Sequence, residues 1–472
     1  MRKKTKIVAT ISDNHCDPKF IQELFDNGMN VVRINTAHAT IEGATKIIES
    51  VRKVSDRIAI LIDTKGPEIR LTDLDKDFMV HYGDIVHFAS GAQKQSSRDC
   101  LYVSYSKFVE EMPVGTSILV DDGMLEFVVE AKEGNKLRCK AMNEGLVQGK
   151  KSINIPSTHL KLPSITQRDI QFINFSVDQN IDFIAHSFVR RKEDVIAVKS
   201  ILDSRESDIA IISKIENKEG VDNIDEIFDE SYGVMVARGD LGIEIPMEQL
   251  PVIQKMIIRK GIEKRKPVIV ATQMLHSMIR NPRPTRAEVS DIANAIYDGT
   301  DAVMLSGETA SGKYPLESVK VMTRIAKEIE ANYNAFQRDL EPYILSNPVS
   351  AQLIRSAVKI TESLDVKAIV ADTFSGKAIR GLSAYRGRNT IYAQCYDKKV
   401  MRQLVLSYGV HVDYLPLEKG NNSQFIKEAL NQLEHKKIFN PQNLILVIAG
   451  NYGREHGSSY IEVATVENLL KK

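Results

Sequence analysis

Cysteine is scarce in this chain of 472 residues, and the four present, Cys16, Cys100, Cys139 and Cys395, are scattered with no CxxC pair. That pattern fits thiols kept reduced in a cytosol. The ten histidines show no HExxH or similar ligand spacing, which argues against zinc. Charge of one sign is missing too. Sixty-three basic residues against 62 acidic ones leave a formal charge of +1, so no field draws the chain to nucleic acid or an anionic membrane. No apolar run approaches the roughly 20 residues that a membrane span needs. The opening MRKKTKIVATI is basic and then apolar, but the apolar part is too short and too polar for a signal peptide, and no small-residue cleavage site follows. These absences leave a cytoplasmic chain long enough for about two to four domains and a large buried core.

What is present is organised around Ile209 to Asp240, which reads as strand, helix, strand. IAIISKIE is an apolar, β-branched run that ends in charge, and GVMVARGD repeats the pattern. Side chains alternate across a strand, so Ile212, Lys214 and Glu216 share one face. Asp240 takes the matching place at the end of the next strand. Two parallel strands joined by one crossover helix bring their carboxyl ends together. Two carboxylates and an ammonium then converge, an arrangement that suits a divalent metal beside a cation able to face a phosphoryl group or an enolate.

The same strand type recurs as KIVATI, VVRINT, IAILIDT, DFIAHSF, IAIISKIE, GVMVARGD, PVIVATQM and DAVMLSGE. Amphipathic stretches lie between most of them. Eight such runs predict a closed (β/α)8 TIM barrel over residues 1–68 and 160–339, within the α/β class. Nearly every run ends in polar groups: Arg33 and Asn35, Asp63, Ser187, Lys214 and Glu216, Asp240, Thr272, Ser306 and Glu308. Together they read as the polar mouth of an active site.

Residues 69–159 break the pattern with short alternating runs and a hairpin signal at Asp122-Gly123. They predict an inserted small β-barrel domain of antiparallel strands, placed to act as a lid that excludes water. Residues 340–472 start with a proline-bearing linker, EPYILSNPVS, and continue as an open α/β domain. Its turn Thr373-Phe374-Ser375-Gly376-Lys377 joins a strand to a helix and offers hydroxyls and amides to an anion. Tyr452, Arg454 and His456 form a second turn where an effector phosphate could sit.

Four blocks are more specific: DTKGPEIR from Asp63, SKIEN from Ser213, ARGDLG from Ala237, and MLHSMIRNPRPTRAEVSDIANAIYDGTDAVMLSGETASGKYP from Met274. On these the chain resembles the pyruvate kinase family over essentially its whole length. The resemblance implies phosphoryl transfer from phosphoenolpyruvate to ADP, giving pyruvate and ATP, in a homotetramer of three-domain subunits with a C-terminal regulatory domain. It implies that Glu216 and Asp240 hold magnesium (or manganese), and that Lys214 offsets charge on the transferring phosphoryl. The backbone of Ala237-Arg238-Gly239 would receive the substrate carboxylate, and Thr272 would help protonate the enolate. Arg33, Asn35, Arg70 and Lys151 would contact nucleotide and phosphate. Asn35, Asp63 and the Thr64 carbonyl would bind potassium. Thr373, Ser375, Gly376 and Lys377 would hold a sugar-phosphate or nucleotide effector.

Two loops depart from the family pattern. TISDNH stands where members usually read TIGPAS, and Arg33-Ile34-Asn35-Thr36-Ala37-His38-Ala39 where they read RxNFSHG. Ala37 thus replaces a serine hydroxyl that would bind potassium, while the acidic Glu68 that accompanies a potassium requirement remains. Two other readings fit parts of the pattern: a metal-dependent aldolase working through a pyruvate enolate, and an effector-binding relative with impaired activity.

Overall fold

In the computed structural model, residues 2–156, 158, 160–332, 347–416, 422–450 and 457–471 are described, the side chains of 422–425 excepted. The turn with Tyr452, Arg454 and His456 lies outside them, as do the 339/340 boundary and most of the linker. The eight expected runs form β1 (Lys6–Thr10), β2 (Val31–Asn35) and β3 (Ala59–Asp63) before the insert. The insert holds β4 (Phe78–Val80), β5 (Ile85–Ser90), β6 (Leu101–Val103), β7 (Ser117–Val120), β8 (Leu125–Glu133), β9 (Lys136–Ala141), β10 (Gly145–Val147) and β11 (Ile153–Asn154). After it come β12 (Phe183–His186), β13 (Ala210–Ile215), β14 (Gly233–Ala237), β15 (Val268–Ala271) and β16 (Ala302–Leu305).

The barrel closes in the order β1-β16-β15-β14-β13-β12-β3-β2, all parallel. Alternation along each strand explains why these runs are apolar throughout. Val8, Leu61, Phe183 and Ile212 fill the interior, while Ile7, Val32, Ile184 and Ile211 pack outward on the helices. Helix starts follow local chemistry. Thr166 and Asp169 form a capping box on Gln167–Asp178, and Thr285 and Glu288 do the same for Arg286–Asp298.

The insert has its own core around Phe88, Phe108 and Phe127. Its strands make a six-stranded sheet, β11-β7-β8-β9-β5-β6, and a two-stranded one, β10-β4. Antiparallel bridges from Arg70 to Ser152 and from Leu71 to Val103 link the two edges of the larger sheet. One pairing departs from expectation: β5 and β6 run parallel. The chain crosses over between them instead of turning back in a hairpin, which alternation alone does not reveal. Gly66, at φ +70, turns the chain into the insert, and an added Cβ there would strike Phe188 at 2.7 Å.

The C-terminal strands β17 (Ala368–Thr373), β18 (Thr390–Cys395), β19 (Val410–Tyr414), β20 (Leu444–Ala449) and β21 (Tyr460–Thr465) order as β19-β18-β17-β20-β21. All pairs are parallel except the edge pair β20-β21. This sheet and its helices sit under the amino-terminal end of the barrel. Asp301, just before β16, accepts hydrogen bonds from Arg386 Nη2 at 2.7 Å and the Tyr408 amide at 2.9 Å. Asp182, just before β12, pairs with Arg402 and with Arg52. The opposite, carboxyl-terminal end of the barrel faces the insert. No helix among the described residues is long and apolar enough to cross a membrane.

Candidate active site

Lys214 projects from β13 on the interior side, two residues after Ile212. Its ammonium lies 2.9 Å from Glu216 Oε1 and 3.1 Å from Asp63 Oδ1, and donates to Ser187 Oγ at 2.8 Å. Burial by itself would lower its pKa, but the facing Asp63 and Glu216 carboxylates outweigh that and raise it. Asp63 ends β3, where β2 places Arg33 close by. Its Oδ2 accepts from Arg33 Nε at 2.7 Å, and Arg33 Nη1 donates to Thr10 Oγ1 at 2.9 Å. Burial pushes the Asp63 carboxyl up, but Lys214 and Arg33 together hold it below the ordinary range. Two cations and two carboxylates from three strands thus form one buried network.

Glu216 is 1% exposed, and its Oε2 accepts the Phe188 amide at 2.6 Å. Phe188 is held in the left-handed region at φ 55 to present that amide. Asp240 differs from its expected place. β14 ends at Ala237, and Asp240 lies in the first turn of the helix Arg238–Glu244. The helix follows the strand with no capping side chain between them, so nothing in the sequence marks the change. Burial, and then the Glu216 charge, push the Asp240 carboxyl up to about 7, against the pull of Lys214.

Glu216 and Asp240 are hard oxygen donors of like charge that destabilise each other in a desolvated site, and this donor set fits a divalent cation. Magnesium usually takes one or two protein carboxylates and fills its shell with water and substrate oxygens. Among the described residues no group of three or more His, Cys, Asp and Glu side chains is placed to hold a metal.

Thr272 follows β15 at φ 69, with Gln273 at φ 54. Its Oγ1 accepts the Gly239 amide at 2.8 Å and donates to the Ala271 carbonyl at 2.6 Å. The Arg238 side chain turns away from the mouth. It donates to the Thr272 carbonyl at 2.7 Å and pairs with Asp291 at 2.7 Å, so it braces the Thr272 turn from behind. Only its backbone is left to face a ligand.

Asn35 and Asp63 are register partners on β2 and β3. Asn35 Oδ1 accepts the amide of the exposed Ala37 at 3.1 Å, and the Thr64 carbonyl accepts from Ser187 Oγ at 2.6 Å. Arg70 and Lys151 lie together at the stem of the insert. Arg70 donates to the Lys150 carbonyl at 2.6 Å and pairs with Glu68, while Lys151 pairs with Asp121 at 3.1 Å. The turn after Asp121 runs through Asp122 and Gly123 at positive φ. Its Asp122 contributes, with Glu68, to the charge felt by Asp240. A cavity of about 340 Å³ separates insert from barrel, lined among others by Glu68, Asp122, Ser152, Phe188 and Asp240.

Thr373, Ser375, Gly376 and Lys377 are apart from this site, in the C-terminal domain. Thr373 Oγ1 accepts the Gly376 amide at 2.8 Å, with Gly376 at φ 75 and Ser375 and Lys377 exposed. Three partners in the barrel site have no role assigned from the sequence: Thr10, Ser187 and Phe188. Ser187 was visible as a polar strand end; the other two act through contacts that no local pattern reports.

The family model "Pyruvate kinase, barrel domain" matches residues 2–319, and "Pyruvate kinase, alpha/beta domain" matches residues 351–464. A protein of Borreliella burgdorferi named pyruvate kinase is 45% identical over 472 residues, 99% of this chain and 98% of that one. Pyruvate kinases of Staphylococcus epidermidis and Staphylococcus aureus are each 41% identical, over 97% of this chain and 79% of theirs.

Proposed function

The chain belongs to the pyruvate kinase family, and from that premise we propose how its barrel mouth carries out the reaction. It is a phosphotransferase that moves the phosphoryl group of phosphoenolpyruvate to ADP, giving pyruvate and ATP. The similarity runs through barrel, insert and C-terminal domain alike, and favours neither an aldolase nor an impaired effector-binding relative. The observation that carries the assignment of roles is the buried Arg33-Asp63-Lys214-Glu216 network beside Asp240.

Glu216 and Asp240 would hold magnesium, or manganese, which supplies positive charge to the phosphoryl and enolate oxygens. Lys214, fixed by three partners, holds its charge where the phosphoryl group is in flight. Such a fixed charge needs no reorganisation as the bond to one oxygen breaks and that to the other forms. The backbone of Ala237, Arg238 and Gly239 takes the substrate carboxylate. Thr272 orients the water that gives its proton to the enolate carbon, the hydroxyl being held by the Gly239 amide and the Ala271 carbonyl. Arg33, Asn35, Arg70 and Lys151 hold nucleotide and phosphate, the last two from the stem of the lid, so that lid closure and nucleotide contact go together. Asn35, Asp63 and Thr64 bind potassium, an assignment supported by the adjacency of Asn35 and Asp63. The domains run 1–68 with 160–339, 69–159 and 340–472. An effector phosphate binds at Thr373, Ser375, Gly376 and Lys377, and the enzyme works in the cytoplasm as a homotetramer. Exposed Met247, Val252 and Val289, beside or on neighbouring barrel helices, support a subunit contact there.

Magnesium dependence tests the assignment. Asp240→Asn should raise the magnesium concentration for half-maximal turnover by tenfold or more, on the scale of about 1.4 kcal/mol per decade. An unchanged magnesium curve would remove Asp240 from the site.

A further inference from the structure

Beneath the barrel, at its seam with the C-terminal domain, lies a second cluster of charge that the reaction does not use. Arg265 caps the helix Leu250–Lys264 in the left-handed region, at φ 58, and its side chain turns inward to only 9% exposure. Its Nε and Nη1 are buried and have no hydrogen-bond partner among the described residues. Nη1 lies against the Gly381 face of the C-terminal helix Lys377–Ala384, 3.8 Å from where a Cβ would stand. The crevice around it is also lined by Lys266, Asp301, Arg380, Arg386 and Ser407.

The neighbouring charges do not balance Arg265. Asp301 is taken by Arg386, whose guanidinium also donates to the Gly299 and Ser383 carbonyls. Lys266 gives its ammonium to the carbonyls of Phe228, Asp229 and Ser231. Arg380 has no carboxylate partner among the described residues. It reaches Tyr232 Oη and the Ser375 carbonyl, each at 3.4 Å. Ser407 Oγ is buried with no hydrogen-bond partner among the described residues. A lysine in such a place could shed its proton, but a guanidinium cannot, so burying it unpaired is costly unless a counter-charge comes with it. The crevice is about 10 Å³ in volume, room for one particle near the size of water.

We propose that this crevice binds a single monatomic anion of the chloride type, held by the Arg265 guanidinium with Ser407 and Arg380 and joining the barrel to the C-terminal domain. A monatomic anion fits this space with less displacement of the lining side chains than a multi-atom one does. The site stands apart from the mouth of the barrel and touches the Thr373–Lys377 turn only through Arg380, which reaches the Ser375 carbonyl; its occupancy tightens the seam between the two domains.

Arg265→Gly is the decisive variant, because glycine adopts this backbone conformation without strain and the chain should fold. Thermal midpoints of the full-length protein are measured in potassium chloride and potassium glutamate at equal ionic strength, for wild type, Arg265→Gly and Arg265→Lys. General salt effects act on all three alike. The wild type should gain a few degrees in chloride relative to glutamate, with the gain saturating as chloride rises. Arg265→Gly should lose that gain and Arg265→Lys should keep part of it. Crystals soaked in bromide should show an anomalous peak beside Arg265 Nη1 in the wild type alone. An equal chloride gain in Arg265→Gly, or no bromide in the crevice, would overturn the proposal. So would a gain in phosphate with none in chloride.

Discussion

His186 is 1% exposed on the outer side of β12, and neither ring nitrogen has a hydrogen-bond partner among the described residues. Burial lowers its pKa from 6.5 to about 4, although Asp194 and Asp169 pull the other way. The folded state therefore holds the ring neutral more firmly than the unfolded chain does. Its contribution to stability is present above the unfolded pKa near 6.5 and drains away as pH falls towards 4. At pH 5 the unfolded chain holds nearly one proton more at this ring than the folded chain does, and the fall from pH 7 to 5 costs about 2 kcal/mol at 1.36 kcal/mol per pKa unit. His186→Leu removes the titrating group and two unsatisfied nitrogens at similar volume, so it should be neutral or mildly stabilising at pH 7. Urea unfolding of both proteins from pH 7.5 to 5 is the assay. The variant should take up about one proton fewer on unfolding at pH 5, and its advantage over wild type should widen as pH falls. Parallel pH profiles for the two proteins would refute the reasoning.

Two further outcomes are expected. Ala37→Ser restores a hydroxyl beside Asn35 Oδ1 and should lower the potassium concentration for half-maximal activity by up to about tenfold, the scale of exchanging an ordered water for a built-in ligand. Full activity of the unaltered enzyme in sodium alone would remove potassium from the account. Ser375→Asp places a carboxylate at the exposed turn where an effector phosphate is proposed. Activation by sugar phosphates or nucleotides should vanish while basal turnover survives, and unchanged activation curves would move the effector elsewhere.

The eight barrel strands were legible because each is buried on both faces and so reads as a continuous apolar run. The Lys214–Glu216 pair was legible because strand alternation puts the two on one face whatever the tertiary detail, whereas the contacts of Asp63 with Lys214 and Arg33 depend on neighbouring strands. Asp240 was assigned to a strand end and lies instead in a helix's first turn, since the apolar run of β14 passes into that helix with no capping residue to mark the boundary. Arg238 carries a charge that composition alone would send to solvent or substrate. Its inward course depends on Asp291 and the Thr272 carbonyl, which are distant in sequence. The parallel β5-β6 pair and the antiparallel edge strand β21 were hidden for a related reason, because alternation fixes the faces of a strand but not its direction. The docking of the C-terminal domain under the barrel rests on Asp182 and Asp301, buried acids at strand starts, whose partners lie 220 and 85 residues away.

The central claim is that the fixed charge of Lys214 stabilises the phosphoryl group in transfer. Turnover of phosphoenolpyruvate and ADP by Lys214→Met, at saturating magnesium and potassium and coupled to pyruvate reduction, tests it most directly. Its folding is verified beside the wild type, because Glu216 loses its ammonium partner. Removal of one preorganised group at the reacting centre predicts a fall in kcat of about 100- to 1,000-fold with KM for phosphoenolpyruvate little changed. Turnover within about threefold of wild type would contradict it, since a charge worth so little is not stabilising the transition state.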